Sequence, residues 1–178
     1  MRLPLVFYGD PRLRKKSQPV TKITDELLKL ADDMLDTMDI NHGVGLAAPQ
    51  IGQTIRFFIL RNHIVTPEGH IQLTDPQAYI NPKITILSSE EMQTDIEGCL
   101  SIPGIHEEVE RPLKIRVEAM GLNGEIFVEE IEGYKARVVM HENDHINGVL
   151  FIDRISADKR KKLEPILREI KKKYHAAD

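Results

Sequence analysis

The sequence contains only one cysteine, Cys99, among its 178 residues. A single cysteine excludes an internal disulfide and suits a reducing compartment. Long apolar runs are also missing, since no stretch approaches the roughly 20 residues that a membrane-spanning helix needs. Residues 1–7 are too short an apolar stretch for a secretory signal, and no small-residue cleavage site follows them. These absences predict a cytoplasmic protein with no membrane partner.

The size and composition indicate an ordinary globular protein. A chain of 178 residues fits one domain, and 41% hydrophobic with 29% charged residues is a typical balance. We find no internal repeat and no low-complexity segment. The sequence therefore predicts a single domain over residues 1–178.

The segment His141-Glu142-Asn143-Asp144-His145 carries the clearest chemical signal. Residues four apart lie on the same face of a helix, so the two imidazoles can share one metal ion. Glu142 lies about 100° further round, where its carboxylate can take a proton from a water at the site. The alternative is a core helix with two hydrogen-bonded histidines, but packing gives no reason for a glutamate between them.

A catalytic metal usually has three protein ligands, so the two histidines leave one ligand to be found. Downstream glutamates fill this position in many zinc proteases, and here Glu164 and Glu169 lie in a basic stretch. The other candidate is Cys99, within Glu97-Gly98-Cys99-Leu100-Ser101. A lone cysteine is commonly a small buried apolar residue, but the neighbouring glycines and proline favour a shaped loop. The residues alone leave these alternatives open.

A third segment, Gly43-Val44-Gly45-Leu46-Ala47-Ala48-Pro49-Gln50, precedes the other two. The three segments in this order resemble the peptide deformylase family, which combines G-x-G-x-A-A-x-Q, E-G-C-L-S and H-E-x-D-H. One departure is Met140, where the family commonly has glutamine before the first histidine. The resemblance extends over most of the chain.

The resemblance implies a reaction and a set of roles. Cys99, His141 and His145 bind one divalent metal, and Glu142 is the general base. The Gln50 side-chain amide and the Leu100 backbone N–H stabilise the oxyanion. The substrate is the N-formyl group on the initiator methionine of newly synthesised polypeptides, and formate is released. Iron(II) is the implied ion in the cell, and zinc, nickel or cobalt also suits these ligands in purified protein.

An apolar slot for the methionine side chain follows from the same resemblance. By position in the family, it is lined by Val44, Tyr134, Val138 and the alkyl stem of Arg137. The peptide backbone binds as an added strand against Gly43, Val44, Gly45, Glu97 and Gly98. Val44, Tyr134 and Val138 are also compatible with a plain core role. The family further pairs Arg111 with Asp144, which predicts an ion pair that holds the ligands in place.

Charge is unevenly distributed along the chain. Residues 154–178 contain nine Lys or Arg and four Asp or Glu, so this end carries +5 and the rest carries −9. A basic C-terminal helical tail, about residues 156–174, suggests a polyanionic partner such as the ribosome, bound without nucleic-acid sequence specificity. The alternative is a solvated helix face.

The pattern of elements predicts an α+β fold. We expect mainly antiparallel sheets around a central metal-binding helix, with an N-terminal helix and a C-terminal helix. The expected elements are a helix from the Thr24 cap to about Asp39, a loop or loose hairpin over 61–76, a hairpin with an Asn123-Gly124 turn, a helix over 133–147, a short strand at Val149–Ile152, and a tail helix kinked or restarted at Pro165.

Two rival functions fit parts of the sequence. One is a zinc endopeptidase that uses Glu164 or Glu169 as its third ligand. The other is a metal-dependent binding module that holds peptide amino termini and needs no general base. The first differs from a deformylase at Cys99, and the second differs at Glu142.

Overall fold

The structure is a computed structural model and describes residues 1–175. The last three residues of the predicted domain, 176–178, lie outside the described part. The helices are α1 (Asp25–Ile40), α2 (Tyr134–Ile146) and α3 (Ala157–His175). Short 3-10 turns cover Pro11–Arg14, Ala48–Ile51 and Phe151–Asp153.

The strands form two antiparallel sheets. They are β1 (Gly45–Ala47), β2 (Phe57–Val65), β3 (Ile71–Ile86), β4 (Met92–Cys99), β5 (Ile102–Pro112), β6 (Lys114–Met120) and β7 (Ile126–Glu132). One sheet has five strands in the order β1-β2-β3-β6-β7, and β4 pairs with β5 in a second, two-stranded sheet. The predicted α+β class with antiparallel sheets is therefore confirmed.

Helix α1 begins where the sequence predicts. The Thr24 hydroxyl accepts a hydrogen bond from the Leu27 amide at 3.2 Å, which caps the helix. Met34 and Met38 are fully buried against Phe57 and the neighbouring side chains of the large sheet. Fully burying a methionine stabilises the fold by about 1.5–3 kcal/mol. These two methionines of α1 are thus core residues.

Helix α2 packs on the large sheet through other residues of the same strands. Successive side chains of a strand point to opposite faces, so Phe58 and Leu60 face α2 whereas Phe57 faces α1. Gly148 follows α2 with a φ of +73°. A Cβ there would lie 2.5 Å from the carbonyl oxygen of Arg14, so only glycine fits.

Two hairpins flank this core. Strands β6 and β7 meet at a turn in which the Gly124 amide donates to the Gly121 carbonyl at 3.0 Å, which confirms the Asn123-Gly124 turn. Residues 61–76 are more regular than predicted. Residues 61–65 belong to β2 and residues 71–76 to β3, and the Gly69 amide donates to the Thr66 carbonyl at 2.8 Å in the turn between the strands.

The predicted short strand at Val149–Ile152 is wrong. The Leu150 amide donates to the Asp153 carboxylate at 2.9 Å, and this contact closes a 3-10 turn over Phe151–Asp153. The side chain of Asp153 therefore satisfies an amide that a strand would have paired.

The predicted restart of the tail helix at Pro165 is also wrong, because α3 continues through this residue. A proline removes only its own N–H from the helix ladder, although the ring also crowds the preceding turn. Leu163, Leu167 and Ile170 are buried on either side of it, in a cluster with Ile102 of β5 and neighbouring residues. This packing holds both halves of α3 in one helix.

Within residues 1–175, none of the helices combines the length and the apolar character that crossing a bilayer requires.

Candidate functional site

Two elements, α2 and β4, bring the predicted metal-ligating residues together. His141 and His145 lie on one face of α2, with their ring centroids 5.1 Å apart. Cys99, at the end of β4, places its Sγ 3.3 Å from Nε2 of His145. The ligand atoms of the three residues all lie within 4.8 Å of one another. Within the described residues, no other group of acidic, histidine or cysteine side chains is arranged in this way.

The spacing of these atoms fits a divalent metal. Zinc-type bonds of roughly 2.3 Å to sulfur and 2.0 Å to nitrogen in tetrahedral geometry place the two ligand atoms about 3.5 Å apart. The observed 3.3 Å between Cys99 Sγ and His145 Nε2 is close to this value. A thiolate with two imidazoles also suits iron, nickel and cobalt.

The rival third ligands lie elsewhere. Glu164 forms an ion pair with Arg160 one turn earlier on α3, at 3.0 Å. Glu169 is exposed on the same helix. Neither belongs to the group of close ligand atoms formed by Cys99 and the two histidines.

A buried carboxylate, Glu97, orients the first histidine. Nδ1 of His141 lies 2.8 Å from its Oε1. Arg111 and Arg137 each donate to Oε2 at 2.6 Å. Burial opposes ionisation of Glu97, but hydrogen bonds from Arg111 and His141 outweigh it and lower the pKa of the carboxyl. A carboxylate on the outer nitrogen of a ligand histidine fixes the ring, leaving Nε2 for a metal.

The predicted pair of Arg111 and Asp144 is confirmed, with 3.0 Å between Nη1 and Oδ2. Both side chains are buried. Arg154, which the sequence did not indicate, also donates to the Asp144 carboxylate, from Nε at 2.6 Å and from Nη2 at 2.7 Å. An unpaired buried charge is strongly destabilising, so these residues depend on one another.

Glu142 is only 3% exposed and lies beside His141. Its Oε1 is 4.0 Å from Nε2 of His141, and its Oε2 has no hydrogen-bond partner in the described part of the chain. Burial raises the pKa of its carboxyl to about 7. A Cβ on Gly45 would lie 2.9 Å from Oε1, so the glycine leaves room for this carboxylate. The arrangement suits a group that accepts and returns a proton.

Gln50 is held with its amide group turned towards the cysteine. Its Oε1 accepts from the Ala47 amide at 2.9 Å. Its Nε2 donates to Cys99 Sγ at 3.4 Å and to the Ser101 hydroxyl at 3.2 Å. A side-chain donor is thereby fixed beside Cys99 Sγ.

These residues line a cavity of about 580 Å³. Its walls contain every site residue expected from the sequence except His145, namely Gly43, Val44, Gly45, Gln50, Glu97, Gly98, Cys99, Leu100, Tyr134, Arg137, Val138, His141 and Glu142. His145 lies behind them against Cys99. The guanidinium of Arg137 is turned to Glu97 and to the Val109 carbonyl, 2.8 Å away, so only its stem is left for the cavity.

Other wall residues carry no motif signal. They include Leu5 and Phe7 from the N-terminal segment, and Ile102, Ile105 and His106 from β5. Alternating apolar residues in an extended segment are the only local feature that Leu5 and Phe7 offer. Their approach to the cavity depends on contacts far apart in sequence.

The sequence profile of the polypeptide deformylase family matches residues 2–161. The chain is 47% identical over 169 residues to a peptide deformylase of Thermotoga sp. (strain RQ2), covering 93% of this chain and 96% of that one. It is 42% identical over 174 residues to a peptide deformylase of Bradyrhizobium diazoefficiens, covering 98% and 97%.

Solved structures give the same result. A peptide deformylase from Plasmodium falciparum superposes with a TM-score of 0.86 at 35% identity, covering 98% of each chain. A peptide deformylase from Ehrlichia chaffeensis, solved in complex with actinonin, gives a TM-score of 0.84 at 36% identity, also covering 98% of each chain.

Proposed function

This chain belongs to the polypeptide deformylase family, and on that premise we propose how its cavity works. The protein is a metal-dependent hydrolase that removes the N-formyl group from N-formylmethionyl peptides and releases formate. One observation carries the proposal for the site. The cysteine and two histidine ligand atoms lie within 4.8 Å of one another, with the carboxylate of Glu142 alongside.

We propose that Cys99, His141 and His145 hold one divalent ion, which makes α2 the central metal-binding helix. We take iron(II) as the ion in the cell, with zinc, nickel or cobalt able to replace it in purified protein. When bound, the ion supplies a Lewis acid that lowers the pKa of a water and polarises the formyl carbonyl. Glu97, clamped by Arg111 and Arg137, keeps Nε2 of His141 pointing at the site.

The proton transfers fall to Glu142. Its carboxylate takes a proton from the attacking water as the oxygen bonds to the formyl carbon. It then delivers that proton to the amine nitrogen of methionine as the carbon–nitrogen bond breaks. The Gln50 amide and the Leu100 backbone N–H are the donors for the oxyanion of the tetrahedral intermediate. The contacts that fix Gln50 to Ala47 and Ser101 support this role.

Val44, Tyr134, Val138 and the stem of Arg137 form the slot for the methionine side chain in this proposal. The peptide backbone lies as an added strand along Gly43, Val44 and Gly45 on one side and Glu97 and Gly98 on the other. The presence of all these residues in one cavity supports the assignment. We further propose that residues 1–178 work as a single catalytic domain in the cytoplasm, where its nascent substrates are made.

A direct assay separates the proposed reaction from the rival functions. We expect the metal-loaded protein to release formate from formyl-Met-Ala-Ser and to leave casein intact, because the ligand set and cavity suit a formylated amino terminus. Acetyl-Met-Ala-Ser is the matched control, because it differs only in carrying a two-carbon acyl group in place of the one-carbon formyl group. Cleavage within casein would favour an endopeptidase, and peptide binding without formate release would favour a binding module.

We also propose that the exposed face of α3 binds the ribosome. Six basic residues are exposed on this helix and take part in none of the ion pairs among residues 1–175: Lys161, Lys162, Arg168, Lys171, Lys172 and Lys173. The opposite face is buried through Leu163, Leu167 and Ile170, whereas Ile166 is 49% exposed. The helix is thus both a part of the fold and a cationic surface, which supports contact with RNA phosphates.

Removing the charges tests this without disturbing the packing. We expect a variant with Lys161, Lys162, Lys172 and Lys173 changed to glutamine to co-sediment with ribosomes much more weakly at low salt, because each lost phosphate contact lowers affinity. Formate release from a short peptide is expected to stay unchanged. Equal co-sedimentation of variant and wild type, at low and at high salt, would exclude the docking role.

A further inference from the structure

Two apolar residues in the wall of the cavity, Leu5 and Phe7, have no part in the site described above. They come from the N-terminal segment, whereas the proposed methionine slot comes largely from α2. In an extended segment, residues two apart point to the same side. Both side chains are half-buried and therefore present apolar surface to the cavity.

The N-terminal segment is fixed directly to the proposed oxyanion region. The Val6 amide donates to the carbonyl of Gln50, and the Tyr8 amide donates to the carbonyl of Ser101, each at 2.8 Å. These two bonds place Phe7 between the segments that contain Gln50 and Leu100. Leu5 and Leu100 also pack against the same core cluster beside α1.

The end of α3 holds Phe7 from behind. The rings of Phe7 and Tyr174 are stacked, with centroids 3.8 Å apart and planes 12° from parallel. Nε2 of His175 lies 3.2 Å from the carbonyl oxygen of Phe7. A Cβ on Gly9, whose φ is +103°, would lie 2.7 Å from Lys171, so the segment runs tightly against the helix. The position of Phe7 thus depends on the last turn of α3.

We propose that Leu5, Phe7 and Leu100 form a second apolar subsite, which takes a side chain that follows the formylated methionine. This inference rests on the proposed function. The formyl group and the methionine side chain already have their places, so the substrate groups left to occupy this wall are those of later residues. Tyr174 is a positioning residue for this subsite, because it touches the Phe7 ring and does not line the cavity.

The subsite predicts a preference among peptides that differ only after methionine. We expect a higher kcat/KM for formyl-Met-Gly-Leu or formyl-Met-Leu-Gly than for formyl-Met-Gly-Gly. The difference is expected to come from a lower KM. In Phe7→Ala we expect this preference to fall by about tenfold, the lower end of what one apolar contact gives. In Tyr174→Ala we expect the same preference to fall by roughly threefold, because only the stacking partner of Phe7 is removed. Tyr174→Phe keeps the ring and is expected to behave as wild type.

The preference is the ratio of kcat/KM for two peptides measured on the same protein sample. Partial unfolding of a variant lowers both values equally and leaves the ratio unchanged. Ile166→Ala, at an exposed position on α3, is the matched control. A second readout needs no turnover. In a Glu142→Ala background, adding Phe7→Ala is expected to weaken binding of formyl-Met-Gly-Leu by about tenfold and that of formyl-Met-Gly-Gly hardly at all.

Two negative results have different meanings. If wild type releases formate from all three peptides with equal kcat/KM, or if Phe7→Ala keeps the full preference, the subsite is wrong and the proposed function stands. If wild type releases no formate from any of them, the proposed function fails and the subsite fails with it.

Discussion

Replacing Glu142 with alanine is expected to lower turnover of formyl-Met peptides by roughly 100- to 10,000-fold, the usual contribution of a general acid–base group. The carboxylate is buried beside His141 and has one oxygen without a partner among residues 1–175. It is not one of the three close ligand atoms. Bound metal and peptide affinity are therefore expected to stay near the wild-type values, as measured by elemental analysis and calorimetry.

Asn143→Ala is the matched control for this variant, because Asn143 is the next residue of α2 and forms no side-chain hydrogen bond among the described contacts. It is expected to keep full turnover. Normal formate release by Glu142→Ala would show that Glu142 is not the general base. Loss of metal in Glu142→Ala would instead show that Glu142 is a metal ligand.

Replacing Cys99 with alanine is expected to abolish stable metal binding and, with it, formate release. The thiol is one of three ligand atoms within 4.8 Å of one another, and its loss leaves only the two histidines of α2. We expect the affinity for zinc or cobalt to fall by more than the roughly 10- to 100-fold that is typical for residues that merely support a ligand. The measurement is metal retained per chain after dialysis against a weak chelator.

The glutamates of α3 provide the opposite test. Glu164→Ala and Glu169→Ala are expected to keep both metal and activity, since Glu164 pairs with Arg160 and Glu169 is exposed. Full metal retention by Cys99→Ala together with metal loss in the glutamate variants would show that the endopeptidase ligand set is the right one.

Features with a local cause could be predicted from the sequence. Thr24 caps α1 through contact with a residue three positions later, and the Asn123-Gly124 turn follows from the left-handed conformation that glycine adopts at 124. The face shared by His141 and His145 follows from the helical period alone. The choice of Cys99 as the third ligand is what the resemblance of the three segments to the family implies.

Contacts between distant segments could not be predicted in the same way. Arg137 was expected to line the methionine slot with its stem, but nothing in the sequence indicated that its guanidinium would be held by Glu97, 40 positions earlier. Arg154, which lies beyond the end of α2, donates a hydrogen bond to Asp144. No sequence motif marks Arg154. Such pairs depend on which side chains the fold buries together, and a single sequence does not carry that information.

The two wrong predictions have the same origin. Pro165 is a valid local breaker, but burial of Leu163 and Leu167 on both sides keeps α3 continuous. The apolar residues at 149–152 fit a strand by composition, and the capping contact from Asp153 makes a 3-10 turn instead. In both segments a tertiary or side-chain contact outweighs the local preference.

We propose that one metal ion, held by Cys99, His141 and His145, supports deformylation. The most direct test is a titration of anaerobically prepared, metal-free protein with iron(II), with formate release from formyl-Met-Ala-Ser as the readout. We expect no release without metal, a linear rise of the rate with added iron(II), and a plateau at one iron per chain. Release by the metal-free protein, or a plateau far from one equivalent, would contradict it.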